Sequence, residues 1–321
     1  MSQIYNGEII YNDMSKNAHG GTELIMDRMV KYIPKEYMEG WQIIHSRPPE
    51  ELDTDKRIML VFHDLPNDPC YDKLKDESYR DKIDLFVFVS NWQLQYFNLS
   101  MGIPYSKSVV IQNGIEPFAI RTDVLEPPEK TKLIYHTTPH RGLEILIPVF
   151  NELLKTHSDI ELDIYSSFEI YGWGERDIKY KHLFDMAKEN PHINYHGFQP
   201  NEKVRTALTE SHIFAYPSTW PETSCLAAIE ALAAGLYVVN PNYAALPETC
   251  GFFGSNYQWS ENSNQHATVF YRELHNTIEY IRKYGMSSRI LQQNLYNTFY
   301  KFDGEFIKNK WVTALTTRKY Q

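Results

Sequence analysis

Residues 212–240 read HIFAYPSTWPETSCLAAIEALAAGLYVVN. The stretch opens on a short apolar run, 212–216, and closes on a second, 236–240. Between them lie a turn with Pro217 and Pro221 and a helix over 224–234, rich in Leu, Ile and Ala and stopped by Gly235. Near-continuous apolar strands separated by helices signal a parallel sheet buried on both faces. The alternation continues outward. Strands are predicted at 133–136, 160–165 and 193–196, and helices at 143–154, 180–189, 201–209, 270–282 and from 288 to the end. Leu143, Leu146, Ile147, Phe150, Leu153 and Leu154 form one helical stripe. In the first half, strands are predicted at 57–62, 83–89 and 108–111, with a helix at 92–99. No good strand precedes Gly20 beyond Ile9-Ile10-Tyr11, and the region between Glu23 and Arg57 reads as short. Residues 116–130 (EPFAIRTDVLEPPEK) hold three prolines and no clear period, so they read as an interdomain linker. The fold class is therefore α/β, with two Rossmann-like doubly wound domains facing across a cleft. Ligands in such sheets sit beyond the carboxyl ends of the strands.

Composition narrows the function classes. Of 321 residues, 42% are hydrophobic and 23% charged, which fits packed domains rather than disorder. A formal net charge of −9 argues against nucleic-acid binding through phosphate neutralisation. No run of 18 apolar residues suggests a membrane span. The start, MSQIYNGEII, lacks the basic and apolar regions of a signal peptide, so a cytoplasmic location is expected. Cys70, Cys225 and Cys250 are widely spaced, which suits reduced thiols rather than disulfides or zinc. The 12 histidines show no HExxH spacing, and no metal or other cofactor is expected.

Four places carry candidate chemistry. Glu230 lies inside an otherwise apolar helix, where a carboxylate is costly unless paired. Glu222 precedes it by eight residues, about 12 Å of helical rise. Two such carboxylates could accept hydroxyl groups from opposite ends of one nucleotide sugar; a helix cap plus a core ion pair is the structural alternative. Thr137-Thr138-Pro139-His140-Arg141-Gly142 follows a strand and opens a helix, a place suited to an anion. Arg141 there faces an unfavourable dipole, which points to phosphate rather than to a surface role. His19-Gly20-Gly21-Thr22 precedes an amphipathic helix, and its glycines let a ligand approach the backbone. It is not a GxGxxG dinucleotide fingerprint. His63, at a strand end beside Asp64, could position or deprotonate a hydroxyl, or simply cap the turn.

Glu222, seven residues, Glu230, then Ala231 and Gly235 resemble the E-x7-E motif of retaining GT-B glycosyltransferases, above all the family 4 group (glycosyl transferases group 1). The resemblance runs from Gly20 to the last helix. It implies that Glu222 contacts the transferred sugar and Glu230 the ribose, with Thr223, Ser224, Cys225 and Leu226 beside the donor. Cys225 stands where the family commonly has Gly. In the family's G-R…K-G pattern, Arg141 takes the Lys position and His136 replaces the Arg, so a weaker or pH-dependent diphosphate site is expected. Gly20, Gly21 and Thr22 resemble the donor-facing GG loop, and His63 the strand-end His near the reacting carbon. Asn113-Gly114-Ile115, Tyr195-His196-Gly197-Phe198 and Ala245-Leu246-Pro247-Glu248 resemble the turn before the linker, the strand end beside the base (hence Gly197 at the donor) and the loop over the diphosphate. Asp53-Thr54-Asp55 fits the DxD signature of metal-dependent GT-A transferases, but reads better as a solvated loop.

The resemblance implies a metal-independent, retaining transfer of a hexose from a UDP- or GDP-sugar to a sugar or glycan acceptor. His63, Glu222 and Arg141 are the expected catalytic residues. A GT-B nucleotide-sugar epimerase or hydrolase and a non-catalytic nucleotide-sugar binder are the alternatives. The domains are expected at 1–118, on the acceptor side and completed by a helix at about 305–321, and at 119–304, on the donor side. Membrane association, known in the family through a basic first-domain face, is disfavoured: residues 1–120 carry 12 basic and 18 acidic side chains.

Overall fold

The computed structural model describes residues 2–11, 20–118, 127–251, 254–286 and 301–317. The chain divides into two compact units, Met1–Glu116 with Tyr300–Gln321, and Pro117–Phe299.

In the first unit, β1 (Ser2–Tyr5) and β2 (Glu8–Ile10) form an antiparallel hairpin. Then come α1 (Gly21–Tyr32), α2 (Lys35–Met38), β3 (Trp41–His45), β4 (Arg57–Val61), α3 (Glu77–Asp81), β5 (Leu85–Phe88), α4 (Asn91–Met101) and β6 (Ser108–Val110). The sheet order is β2-β1-β3-β4-β5-β6, parallel from β3 to β6. Phe62, Tyr71, Phe86, Phe88 and Phe97 pack as one aromatic cluster on this sheet. Two strands depart from the sequence expectation. β1 and β3 both lie where no strand was predicted. Gln42 interrupts the apolar pattern of β3, yet it is buried because its amide donates to Gln3 on β1 at 2.9 Å. A polar pair inside the sheet thus hid a fully buried strand. Asp53-Thr54-Asp55 is a turn before β4, with Asp53 accepting from the Tyr5 hydroxyl at 2.6 Å.

The second unit holds β7 (Thr131–Tyr135), α5 (Leu143–Leu153), β8 (Ile160–Ile164), α6 (Lys181–Glu189), β9 (Ile193–Tyr195), α7 (Asn201–Glu210), β10 (Ile213–Ala215), α8 (Leu226–Ala233), β11 (Tyr237–Pro241), α9 (Leu246–Cys250), β12 (Gly254–Tyr257) and α10 (Ser263–Tyr284). Its sheet is wholly parallel, in the order β12-β11-β10-β7-β8-β9. That is the Rossmann order, with its reversal between β7 and β10. α5 buries Ile145 and Val149 besides the predicted stripe, because it is packed on more than one side. The loop expected at 245–248 is largely the short helix α9. The final helix, α11 (Gly304–Thr316), belongs to the first unit. The part of the last predicted helix over 288–300, like His19, lies outside the described residues. The architecture is that of the GT-B fold: two Rossmann-like units, each with its own sheet.

Candidate active site

The reversal of strand order leaves a crevice between the loops that follow β7 and β10. Arg141 comes from the first loop, in the turn Pro139–Arg141, and Glu222 from the second. The two loops approach closely at Gly142. Its φ is +114°, and an added Cβ would fall 2.1 Å from the Pro217 carbonyl oxygen. A side chain there would force the loops apart.

Arg141 and Glu222 form an ion pair through Nη1 and Oε1, and the Tyr216 hydroxyl donates to the same Oε1. Arg141 Nε also donates to Thr138 Oγ1 at 3.1 Å. Glu222 is 4% exposed, so its charge needs these partners. Burial opposes the charge on Arg141, but Glu222 outweighs it and holds the guanidinium well above its ordinary value. Burial first, then Glu222, pushes the Tyr216 phenol well above its usual range, so it stays a donor. Both donors converge on Oε1. Among the described residues, Oε2 of Glu222 and Nη2 of Arg141 take no hydrogen bond. One carboxylate oxygen and one guanidinium arm are thus held side by side for a ligand. Trp220, 40% exposed, lies beside them, with Arg141 5.8 Å from its ring centre and His140 against it edge-on.

The route from Glu222 to Glu230 is not helical throughout. α8 begins at Leu226, and Cys225 before it has φ +67°. The eight-residue helical rise therefore does not describe the separation of the two carboxylates. The left-handed conformation of Cys225 is one that glycine adopts without strain. Thr223 and Ser224 lie in the bend before it, and the Ser224 carbonyl accepts from the Thr249 hydroxyl. Glu230, also 4% exposed, has Arg205 at 3.6 Å and Asn201 at 3.4 Å. Both come from α7, which sequence reasoning left without a role; their i, i+4 spacing was the available signal.

His136 ends up differently from its expected role. Its ring packs against Phe214 at 4.7 Å, its Nε2 is covered, and burial pushes its pKa down to about 3. A neutral imidazole results, so it supplies neither a second cation nor a titration near neutrality. Gly197 has φ +64° just beyond β9, where His196 stacks on Tyr165 at 4.3 Å.

On the first unit, Gly20 caps α1 without a side chain, and Gly21 and Thr22 begin the helix. Burial raises the Glu23 carboxyl, with Asp27 and Asp64 adding to the effect, so the glycine turn and the His63-Asp64 strand end are neighbours. His63 Nε2 is 2.9 Å from His45 Nδ1, a partner that the sequence did not suggest. Among the described residues, no group of three His, Cys, Asp or Glu could hold a metal ion. No helix there is long and apolar enough to cross a membrane.

Residues 120–267, just under half of the chain, match the family model described as Glycosyl transferases group 1. Two curated relatives align over similar stretches. A phosphatidylinositol N-acetylglucosaminyltransferase of Arabidopsis thaliana is 24% identical over 52% of this chain and 36% of its own length. Amylovoran biosynthesis glycosyltransferase AmsK of Erwinia amylovora is 28% identical over 48% of this chain and 38% of its own. The aligned regions thus span well under half of those relatives. Among solved structures, a glycosyltransferase from Rickettsia africae superposes with a TM-score of 0.65 at 16% identity, covering 96% of this chain and 85% of that one. Anabaena HepE in complex with UDP-glucose gives 0.59 at 14% identity, covering 92% and 77%. The chain is related to GT-B glycosyltransferases through its fold and the sequence of its second unit.

Proposed function

We propose that the protein is a retaining, metal-independent glycosyltransferase that moves a hexose from a UDP- or GDP-sugar to a sugar or glycan hydroxyl. One observation carries the reading: Glu222 Oε2 and Arg141 Nη2 stand unengaged by described residues at the switch point of a Rossmann sheet. Arg141 Nη2 donates to a diphosphate oxygen, and Glu222 Oε2 accepts from a hydroxyl of the sugar. The start of α5, which has no side-chain cap, faces its first-turn N–H groups to the same anion. Glu230 accepts from the ribose. Gly20, Gly21, Thr22, Gly197 and residues 223–226 complete the donor site, and His63 borders the reacting carbon.

In the reaction, the bond from the anomeric carbon to the phosphate oxygen breaks. The acceptor oxygen bonds to the same face of that carbon, and the acceptor proton passes to the leaving phosphate. Arg141 stabilises the charge that develops there. The first unit works on the acceptor side and the second holds the donor. A cytoplasmic site of action fits the reading.

The test is a panel of UDP-, GDP-, ADP- and TDP-sugars without divalent metal, scored by thermal shift and nucleotide release. One donor should stabilise the protein and be slowly cleaved. Glu222→Gln should lower turnover of that donor by at least about 10²-fold. NMR of the product should show the donor's anomeric configuration. Stabilisation by no donor, with or without Mn²⁺, would sink the proposal; an inverted product would remove its retaining half.

A further inference from the structure

β3 and β4 run parallel with His45 opposite Val61. His63 lies two residues beyond Val61, so both imidazoles project from the same face at neighbouring strand ends. Their rings are 11° from parallel, with His45 Nδ1 2.9 Å from His63 Nε2. Burial lowers the pKa of both, that of His63 to about 4, so each ring carries a single proton near neutrality. Two arrangements fit the bond. If His63 donates, the His45 proton must sit on Nε2. That atom is buried in a residue 1% exposed, and it has no hydrogen-bond partner among the described residues. If His45 donates, its Nε2 is only a bare lone pair. An orphaned buried N–H is the rarer and costlier of the two. The backbone fixes His45 in place. Ser46, next in the chain, has φ +62°, with its N–H bonded to the Val61 carbonyl at 2.9 Å, while Arg47 N–H returns to the His45 carbonyl at 2.8 Å. A left-handed non-glycine residue at such a place is strain held by its surroundings.

We infer that His45 is a positioning residue whose Nδ1–H donates to His63 Nε2, fixing His63 as the Nδ1–H tautomer, a hydrogen-bond donor to a substrate oxygen and not a base. The substrate half of this inference rests on the proposed transferase reading. It replaces deprotonation of the acceptor by His63 with donation to an oxygen of the sugar or the leaving phosphate. The acceptor proton still goes to the phosphate.

The experiment is two-bond ¹⁵N–¹H correlation of the full chain labelled at histidine, at neutral pH, with His63 assigned by its loss in His63→Gln. The wild-type protein should show His63 protonated on Nδ1. His45→Phe, which cannot donate, should shift His63 toward the Nε2–H form. His45→Gln, whose amide can donate, should restore Nδ1–H. His63 protonated on Nε2 in the wild type would overturn the inference, as would an unchanged His63 in His45→Phe. If His45→Phe fails to fold, the wild-type spectrum alone decides. With the donor found above, His45→Phe should lower kcat by about tenfold, the worth of one hydrogen bond, with KM little changed, and His45→Gln should recover most of it. A kcat that does not fall would overturn the substrate half. Absence of turnover in the wild type would count against the transferase reading and leave the tautomer result standing.

Discussion

The carboxyl-end edges of the two sheets hold buried titratable groups in opposite states. Beyond β3 and β4 stand His45 and His63, kept neutral by burial. Beyond β7 and β10 stand Arg141 and Glu222, both charged and bonded to each other. Burial is not what separates them, since His45 is 1% exposed and Glu222 4%. The second edge has two loops brought together by Gly142, so each charge meets its counter-charge. The first edge pairs imidazole with imidazole, and a proton shared between two bases compensates no charge. Where a buried group meets an opposite partner it stays ionised; where it meets its own kind it gives up the charge.

Removing the partner at the charged edge should have the largest effect. Arg141→Met strands the Glu222 carboxylate, and denaturant unfolding should show a loss of about 3–5 kcal/mol. Donor-induced thermal stabilisation should vanish as well. An unchanged unfolding midpoint would mean that the pair contributes no such charge compensation.

Acid puts charge on the neutral edge. The unfolded chain binds a proton at each histidine near pH 6.5, whereas folded His63 waits until about 4 and folded His136 until about 3. Stability from these neutral imidazoles is therefore complete above the unfolded value and is lost as pH falls toward the folded ones. By pH 5 each fully buried imidazole should have given up about 2 kcal/mol, seen as a falling melting temperature between pH 7 and 5. His45→Phe should flatten that slope, and a slope unaltered by it would break the contrast.

A smaller effect is expected at Cys225. Valine at its φ of +67° should cost about 1–3 kcal/mol, because a β-branched residue fits the left-handed region poorly. Glycine there should leave stability within about 1 kcal/mol, the relief of strain offsetting the lost thiol and added chain entropy. Thermal melts of the two variants check the order.

The smallest effect belongs to His136. His136→Phe should leave UDP-sugar affinity within about twofold by calorimetry, and that affinity should not change between pH 6.5 and 8 through this group. A tenfold loss would restore a diphosphate role to the ring.

These contrasts also mark what the residue pattern could show. Arg141 and Glu222 were legible because strand, turn and helix follow in order, and a cation at a helix start or a carboxylate at a helix entrance is conspicuous there. Tyr216 was not, because a tyrosine ending an apolar strand reads as core; only the fold turns its hydroxyl onto Glu222. The spacing of Glu222 and Glu230 was visible but its geometry was not, since one left-handed residue at Cys225 breaks the helical rise. The parallel strands of the second unit followed from their apolar runs. β3 did not, because Gln42 and His45 are buried through partners distant in sequence, Gln3 and His63. Pattern reading fails where a polar residue is satisfied by a long-range neighbour.

The last helix carries a consequence for how the chain folds. α11 completes the first unit: Trp41 Nε1 donates to the Leu315 carbonyl at 3.1 Å, and Ile115 N–H to that of Phe302 at 3.0 Å. Partners 274 residues apart cannot meet until nearly the whole sequence has been made. The second unit, by contrast, is one uninterrupted segment. During synthesis the later-encoded unit can therefore close first, while the earlier one waits, open along the groove that α11 will fill. The wait leaves Ile25, Met29 and Trp41 exposed for about the time needed to translate 200 residues, on the order of 10–40 s at 5–20 residues per second.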